Sequence, residues 1–321
     1  MNPDPGRVPA KACFCALLLA SLALMGRAQE AQKSREMAFR GAVKVEWVLV
    51  PVIVKGPRGY VRGLQAKHFE LYVDGRRLEE PDFETGHEAP VSAVILQDLS
   101  GSIANGGKLE VSQQILDCLL DRARTGDQVS LATFGSGRLE VQVPPTSDLP
   151  AVRQAKGQWV PHGTTALHDA IAWLPDLGAS GDSWKHVAIL VTDGVDNASA
   201  LPASTARNLV RQAELPVYVL GLDTGSPFAL DPQGRKLYRF ADVLNLLAHE
   251  TGGRYASIRW ESEVAAACSA VVDDLRHQYV LSFPTVADGT QAHHKIEVRV
   301  RGKRRKVAFR RGYVGGPPSG P

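Results

Sequence analysis

Two apolar runs, each ending in an aspartate, restrict this chain more than any other feature. The first is Val91-Ser-Ala-Val-Ile-Leu-Gln-Asp98-Leu-Ser100-Gly-Ser102 and the second is His186-Val-Ala-Ile-Leu-Val-Thr192-Asp193-Gly194. A run that is apolar at successive positions reads as a strand buried on both faces, the situation of a central strand in a parallel sheet. Carboxylates and hydroxyls then stand at the carboxyl ends of those strands, where open α/β sheets bind their ligands. Between the two runs lies Gly163-Thr164-Thr165, just ahead of a helical stretch. With both strands central in one sheet, Asp98, Ser100, Ser102, Thr164 and Asp193 converge on one crevice. Oxygen ligands with few full charges suit a small hard cation such as Mg²⁺.

At these residues the chain resembles the von Willebrand factor type A family. The D-x-S-x-S element is Asp98, Ser100 and Ser102, the distant threonine is matched by Thr164, and the aspartate of the T-D-G element by Asp193. The resemblance implies a metal-ion-dependent adhesion site. In such a site the hydroxyls hold Mg²⁺ (or Mn²⁺), the aspartates do so directly or through water, and one position stays open for a partner's acidic group. The flanks resemble those of exported bacterial proteins called von Willebrand factor type A-related. On one side the likeness rests on the strand at 45–54, Gly63-Leu64, Phe69 and Asp74-Gly75. On the other it rests on Tyr279-Val-Leu281, His294-Lys-Ile-Glu-Val298 and Arg311-Gly-Tyr313, so that it spans most of residues 41–314.

The rest of the pattern fits around that centre. Residues 41–90 carry a long strand at 43–54, a Gly56-Pro57-Arg58-Gly59 turn and a hairpin closed by Asp74-Gly75. From 91 to 276 strands and helices alternate: helices at 109–122, 166–174, 201–213, 241–250 and 263–276, strands at 128–134, 139–143, 217–222 and 255–258. Such alternation implies a largely parallel sheet covered on both faces. Residues 277–314 return to β structure at 278–283, 295–301 and 306–310, and a Gly/Pro tail fills 315–321. Neither β segment has enough strands for a sheet pair of its own. The expected fold class is therefore α/β, with a doubly wound, mostly parallel sheet inserted between β segments that form one small β-sandwich.

The compartment is read from the N-terminus. Arg7 and Lys11 precede an apolar block at 12–25 that ends near Gly26-Arg27-Ala28, the form of a secretory signal peptide cut after residue 28. The block is shorter than the roughly 20 apolar residues that cross a bilayer. Residues 29–40 form a polar lead-in, and no later segment is long and apolar enough to span a membrane, so the expected mature protein is exported, periplasmic or extracellular. It keeps Cys118 and Cys268, as two separate thiols or as a bridge between helices that the family resemblance places on one side of the sheet.

Other chemistries fit less well. An aspartyl-phosphate enzyme needs a second acid two residues after its nucleophile, where Ser100 stands. A serine nucleophile elbow needs glycine where Asp98 stands. Gly135-Ser-Gly137 lacks the rest of a phosphate loop and reads as a turn. His293 and His294, as neighbours on a strand, point to opposite faces and do not share an ion. A metal-assisted hydrolase would need His162 or His168 as its base. Asp169 reads as a helix-start acceptor and Asp196 as a support for the crevice. The net charge of +3 says little about partners, but 299–311 is strongly basic. Read as a hairpin with Ile296, Val298, Val300, Val307 and Phe309 on its inner face, it offers a patch for an anionic envelope surface. Without exposed aromatics between the charges, nucleic acid is the weakest candidate. The sequence thus points to a non-enzymatic protein-binding module whose cation is completed by a partner's carboxylate. A hydrolase, or an envelope component with a vestigial site, stands as the alternative.

Overall fold

The first flank supplies β1 (Val45–Gly56), β2 (Gly59–Tyr60), β3 (Phe69–Val73), β4 (Arg76–Arg77) and β5 (Asp82–Thr85). The central stretch runs β6 (Ser92–Asp98), α1 (Lys108–Leu120), β7 (Gln128–Gly135), β8 (Arg138–Thr146), α2 (Leu149–Ala155), α3 (Leu167–Ala172) and α4 (Leu174–Gly178). It continues with β9 (His186–Thr192), α5 (Ala203–Gln212), β10 (Val217–Leu222), α6 (Phe240–Thr251), β11 (Tyr255–Ile258) and α7 (Glu261–Arg276). The last flank adds β12 (Gln278–Val286), β13 (His293–Val300), β14 (Lys306–Phe309) and β15 (Gly312–Val314). The computed structural model describes residues 45–178, 181, 185–212, 215–225, 227, 240–286 and 292–315. The expected leader at 1–28, the lead-in at 29–40 and the tail from 316 lie outside the described residues.

The central sheet has the order β11-β10-β9-β6-β7-β8, parallel except for the edge strand β8. The apolar runs behave as their composition demands. In β9, Val187, Ile189 and Val191 pack against one helical layer while Ala188 and Leu190 pack against the other. One layer contains α1 and α7, through Ile115, Leu119, Cys268 and Val271. The opposite layer holds α3, α5 and α6, through Leu167, Ile171, Val210 and Leu244. Strand order reverses at β6: the chain leaves it for β7 on one side and returns on the other through β9. The switch point of the sheet therefore falls between the two strands that end in Asp98 and Asp193.

The flanks form two facing sheets, β14-β1-β12-β5 with β2 on β1, and β15-β13-β3-β4. Strands from both ends of the chain interleave: β1 pairs antiparallel with β12 from Val45↔Val286 to Ile53↔Gln278, and β13 pairs with β3. Val50, Val52, Leu71, Tyr279, Leu281 and Ile296 fill the space between the sheets, as period-2 alternation requires of a sandwich. Among the described residues no helix is long and apolar enough to cross a membrane.

The basic stretch is a correction. β13 and β14 belong to different sheets, β14 pairing with β1, so 299–311 is not a hairpin and has no common charged face. Its apolar side chains were expected on one face, and they do share one core, but from two opposing sheets. The charges disperse accordingly. Arg299 pairs with Glu297 at 2.7 Å and Arg301 with Glu70 at 3.3 Å. Arg310 is buried and donates to the carbonyls of Gly312 and Leu49.

Two local readings also change. α2 was not expected; Asp148 Oδ1 accepts from Ala151 N at 3.2 Å and Pro150 occupies its first turn, a favourable helix start. The helix expected at 166–174 breaks at Trp173, because Pro175 cannot donate an amide hydrogen and begins α4 instead.

Candidate cation site at the switch point

β6 delivers Asp98 to the carboxyl edge of the sheet, where its side chain is fully buried. One carboxylate oxygen accepts from the Ser100 amide at 2.9 Å and the other from the Thr192 hydroxyl at 2.7 Å. Burial pushes the Asp98 carboxyl up to about 6, against these hydrogen bonds and with help from the neighbouring Asp193 charge. Ser100 is also fully buried, and its Oγ lies 3.1 Å from the Oγ of half-buried Ser102. The two hydroxyls share one side because a short 3-10 turn at Gly101–Ala104 follows the strand at once.

The threonine loop is fastened to this turn through its backbone. The Leu99 carbonyl accepts from His162 N at 2.9 Å, and the Gly163 carbonyl accepts from Gly101 N at 3.0 Å. Thr164 follows, exposed, its carbonyl accepting from Ser136 N at 2.8 Å. Gly163 has φ +72°, and a Cβ there would lie 1.8 Å from Ser136 Oγ, so no other residue fits. Thr165 is buried and turned toward the next loop, with its amide donating to Asn197 at 2.8 Å. On the far side β9 ends at Thr192, and Asp193 follows with its side chain 2% exposed. Asp98, Ser100 and Ser102 thus stand at the end of β6 while Asp193 follows the end of the adjacent β9, and the 162–164 loop is hydrogen-bonded to the turn after β6.

Two contributors lie outside the ligand set that the resemblance implies. Thr192, one residue before the matched aspartate, ties the two site strands together through Asp98. Lys108, the first residue of α1, sets its Nζ 2.8 Å from Asp193 Oδ2. Thr192 could have been noticed as a hydroxyl on an otherwise apolar run; Lys108 resembles any helix-surface lysine. Behind the strand, Gln97 donates to the Asp98 carbonyl at 2.7 Å and to Ser112 of α1 at 3.1 Å.

The remaining candidates take other partners. Asp169 accepts the amides of Ala200 and Leu201, both at 2.9 Å, so it anchors the loop after β9 and not its own helix. Asp196 accepts from the Leu167 amide at 2.9 Å and lies 3.3 Å from His168 Nδ1. His162 is exposed, its Nδ1 2.8 Å from the Val160 carbonyl. His293 meets Arg211 while His294 meets Asp74, so the pair diverges as its strand position demands. Cys118 and Cys268 are free thiols on the packed helices α1 and α7, Cys268 Sγ donating to the Ile115 carbonyl and Cys118 Sγ accepting from Arg122.

The donor set suits a hard divalent cation. It offers two buried carboxylates and neutral hydroxyls, with one ammonium already seated against a carboxylate as a stand-in cation. Among the described residues no group of three or more His, Cys, Asp or Glu side chains is placed to hold a metal.

Strand order, crossovers and two-sided helical cover make the α/β part a doubly wound, mostly parallel sheet, the fold class expected from the sequence. No family model and no curated protein matches the chain. Among solved structures it is similar to an aerotolerance-related membrane protein from Bacteroides fragilis, at 21% identity over 58% of this chain and 98% of that one, TM-score 0.44. It is similar to a von Willebrand factor type A protein from Catenulispora acidiphila, at 13% identity over 78% and 75% of the two chains, TM-score 0.46. It is also similar to a manganese-loaded TRAP protein from Plasmodium vivax, at 17% identity over 75% and 97%, TM-score 0.43.

Proposed function

We propose that the crevice at the switch point is a divalent-cation site through which this chain binds a protein partner. The observation that carries this reading is the convergence of Asp98, Ser100, Ser102 and Asp193 at one sheet edge, with Asp98 buried and lacking a Lys or Arg partner among the described residues. Mg²⁺ or Mn²⁺ bound there would supply a positive charge with an open position for an outside carboxylate. The protein's own residues do the rest. Asp98 and Asp193 provide charge, Ser100, Ser102 and Thr164 provide neutral oxygens, and Thr192 with the Ser100 amide holds Asp98 in place.

Two carboxylates and three hydroxyls balance the charge of a dication but leave at least one of its roughly six coordination positions open, and an acidic side chain from the partner is a hard oxygen ligand suited to it. The leader at 1–28 would direct the chain out of the cytoplasm, where such a partner would be met. The reading is of a binding module and not an enzyme. Calorimetric titration of the chain with Mg²⁺ and Mn²⁺, beside Asp98→Ala, tests it. Saturable binding to the wild type alone is expected, and equal binding to both would remove Asp98 from the site.

A further inference from the structure

We infer that Lys108 is a tethered competitor for the cation: its ammonium neutralises Asp193 and must swing out before an ion can bind there. The inference rests on the cation-site reading above and adds a residue that the motif does not contain. Lys108 Nζ sits 2.8 Å from Asp193 Oδ2, on the carboxylate matched to the second aspartate of the motif. The lysine side chain is 23% exposed and the aspartate side chain 2%, so the contact is largely shielded from water.

Its place on the helix supports the assignment. Lys108 is the first residue of the thirteen-residue α1, where unpaired amides and the helix dipole disfavour a cation. Gly106 and Gly107 precede it, both at positive φ (+66° and +74°), and this tight turn brings the helix start over the crevice. A lysine at a position unfavourable to positive charge is accounted for by the buried carboxylate it neutralises. Beside the ion pair lies an open cavity of about 540 Å³, bordered by Val195, Leu222, Phe240 and Val243 as well as by Lys108 and Asp193. It leaves room for the long, flexible side chain to move aside without displacing backbone. Among the described residues Asp98 has no such tether, so the two carboxylates differ: one is held by an amide and a hydroxyl and the other is paired with an ammonium.

The test is Mn²⁺ affinity by calorimetry on the full chain, for wild type, Lys108→Met and Lys108→Arg. Removing the competing charge should tighten binding about tenfold or more in Lys108→Met, the order of one charge-assisted hydrogen bond. Lys108→Arg, which keeps the charge, should stay near wild type. Binding in Lys108→Met with none in wild type would support the inference further. Wild-type binding that Lys108→Met leaves equal or weaker would overturn it while leaving the cation site standing. No binding in any of the three would overturn the cation site and this inference together. An independent readout needs no substitution: labelling of the Lys108 amine by an acylating reagent, followed by mass spectrometry, should rise when Mg²⁺ is added. Unchanged labelling under saturating Mg²⁺ would contradict release of the ammonium.

Discussion

The two ends of the central sheet both bury carboxylates, but they neutralise them differently. At the base, Asp127 is paired with Arg276 and accepts the amides of Val91 at 2.9 Å and Arg124 at 2.7 Å. Asp274, also at the base, takes Arg254 at 2.7 Å, Lys55 at 2.9 Å and the Tyr60 hydroxyl at 2.6 Å. At the rim, among the described residues, Asp98 takes the Ser100 amide and the Thr192 hydroxyl, and Asp193 takes the Val195 amide at 3.4 Å and one movable lysine. Charge buried with rigid guanidinium partners is a structural joint: those contacts fasten α7 and the strand starts where the sandwich adjoins the sheet. Charge buried without them is kept at a cost in stability, and here that cost falls at the rim, where the proposed cation would offset it.

The comparison can be broken most directly at the base. Arg276→Ala strands Asp127 in the interior, and we expect a loss of about 3–5 kcal/mol in urea unfolding. A loss comparable to a surface change would mean that the base is no more committed than the rim. At the rim the sign should reverse. The Asp98 carboxyl is held up at about 6 by burial, so the folded chain keeps a proton that the unfolded chain has already released. The stability this supplies is complete below the ordinary carboxylate range and is lost as pH rises through about 6. Asp98→Asn should therefore unfold at pH 7 with about 1–2 kcal/mol more stability than metal-free wild type, and the gain should vanish near pH 4.

An effect spread over pH rather than confined to one value belongs to Lys185. This buried lysine donates to the Gly86 carbonyl at 2.8 Å and to that of Leu275 at the end of α7. Burial, and next the Arg276 charge, pull its amine down to about 7. The unfolded chain holds that proton to about pH 10.4, so stability should climb by about 1.4 kcal/mol per pH unit between roughly 7 and 10. Denaturant midpoints measured across that range should show the slope in wild type and lose it in Lys185→Met. The smallest effect is expected where the basic stretch turns between the two sandwich sheets. Lys303→Glu with Arg304→Glu, both exposed, should change stability by less than about 0.5 kcal/mol. A larger loss would mean that 299–311 acts as one charged face after all.

Much of the α/β sheet was legible because its code is local. A run such as Val187 to Val191 has no polar side to turn to water, so it has to be central, and the aspartate that ends it has to stand at the sheet's edge. The sandwich was less so, since alternation gives each strand's buried face and not its neighbour. Ile296, Val298, Val307 and Phe309 read the same whether β13 and β14 pair with each other or face each other from two sheets. Pairing with β1 depends on backbone contacts more than two hundred residues distant in sequence and has no local signature. In the site, the side chains with fixed spacing were visible and those that answer them were not. Thr192 reaches Asp98 across a strand pair, and Lys108 reaches Asp193 across a crossover, and neither distance is encoded in a motif. The helix α2 has a local start signal in Asp148 followed by Leu149 and Pro150, but at seven residues it is too short to show a helical period.

Thermal unfolding of the full chain at pH 7 over a series of Mn²⁺ concentrations, for wild type and Asp98→Asn, tests the central claim most directly. A ligand that binds only the folded state raises the midpoint with the logarithm of its concentration once past its dissociation constant. The account predicts that rise in wild type and a flat line in Asp98→Asn, although the variant starts from the higher midpoint. Parallel responses in the two proteins, or a flat line in wild type, would contradict a cation site at Asp98.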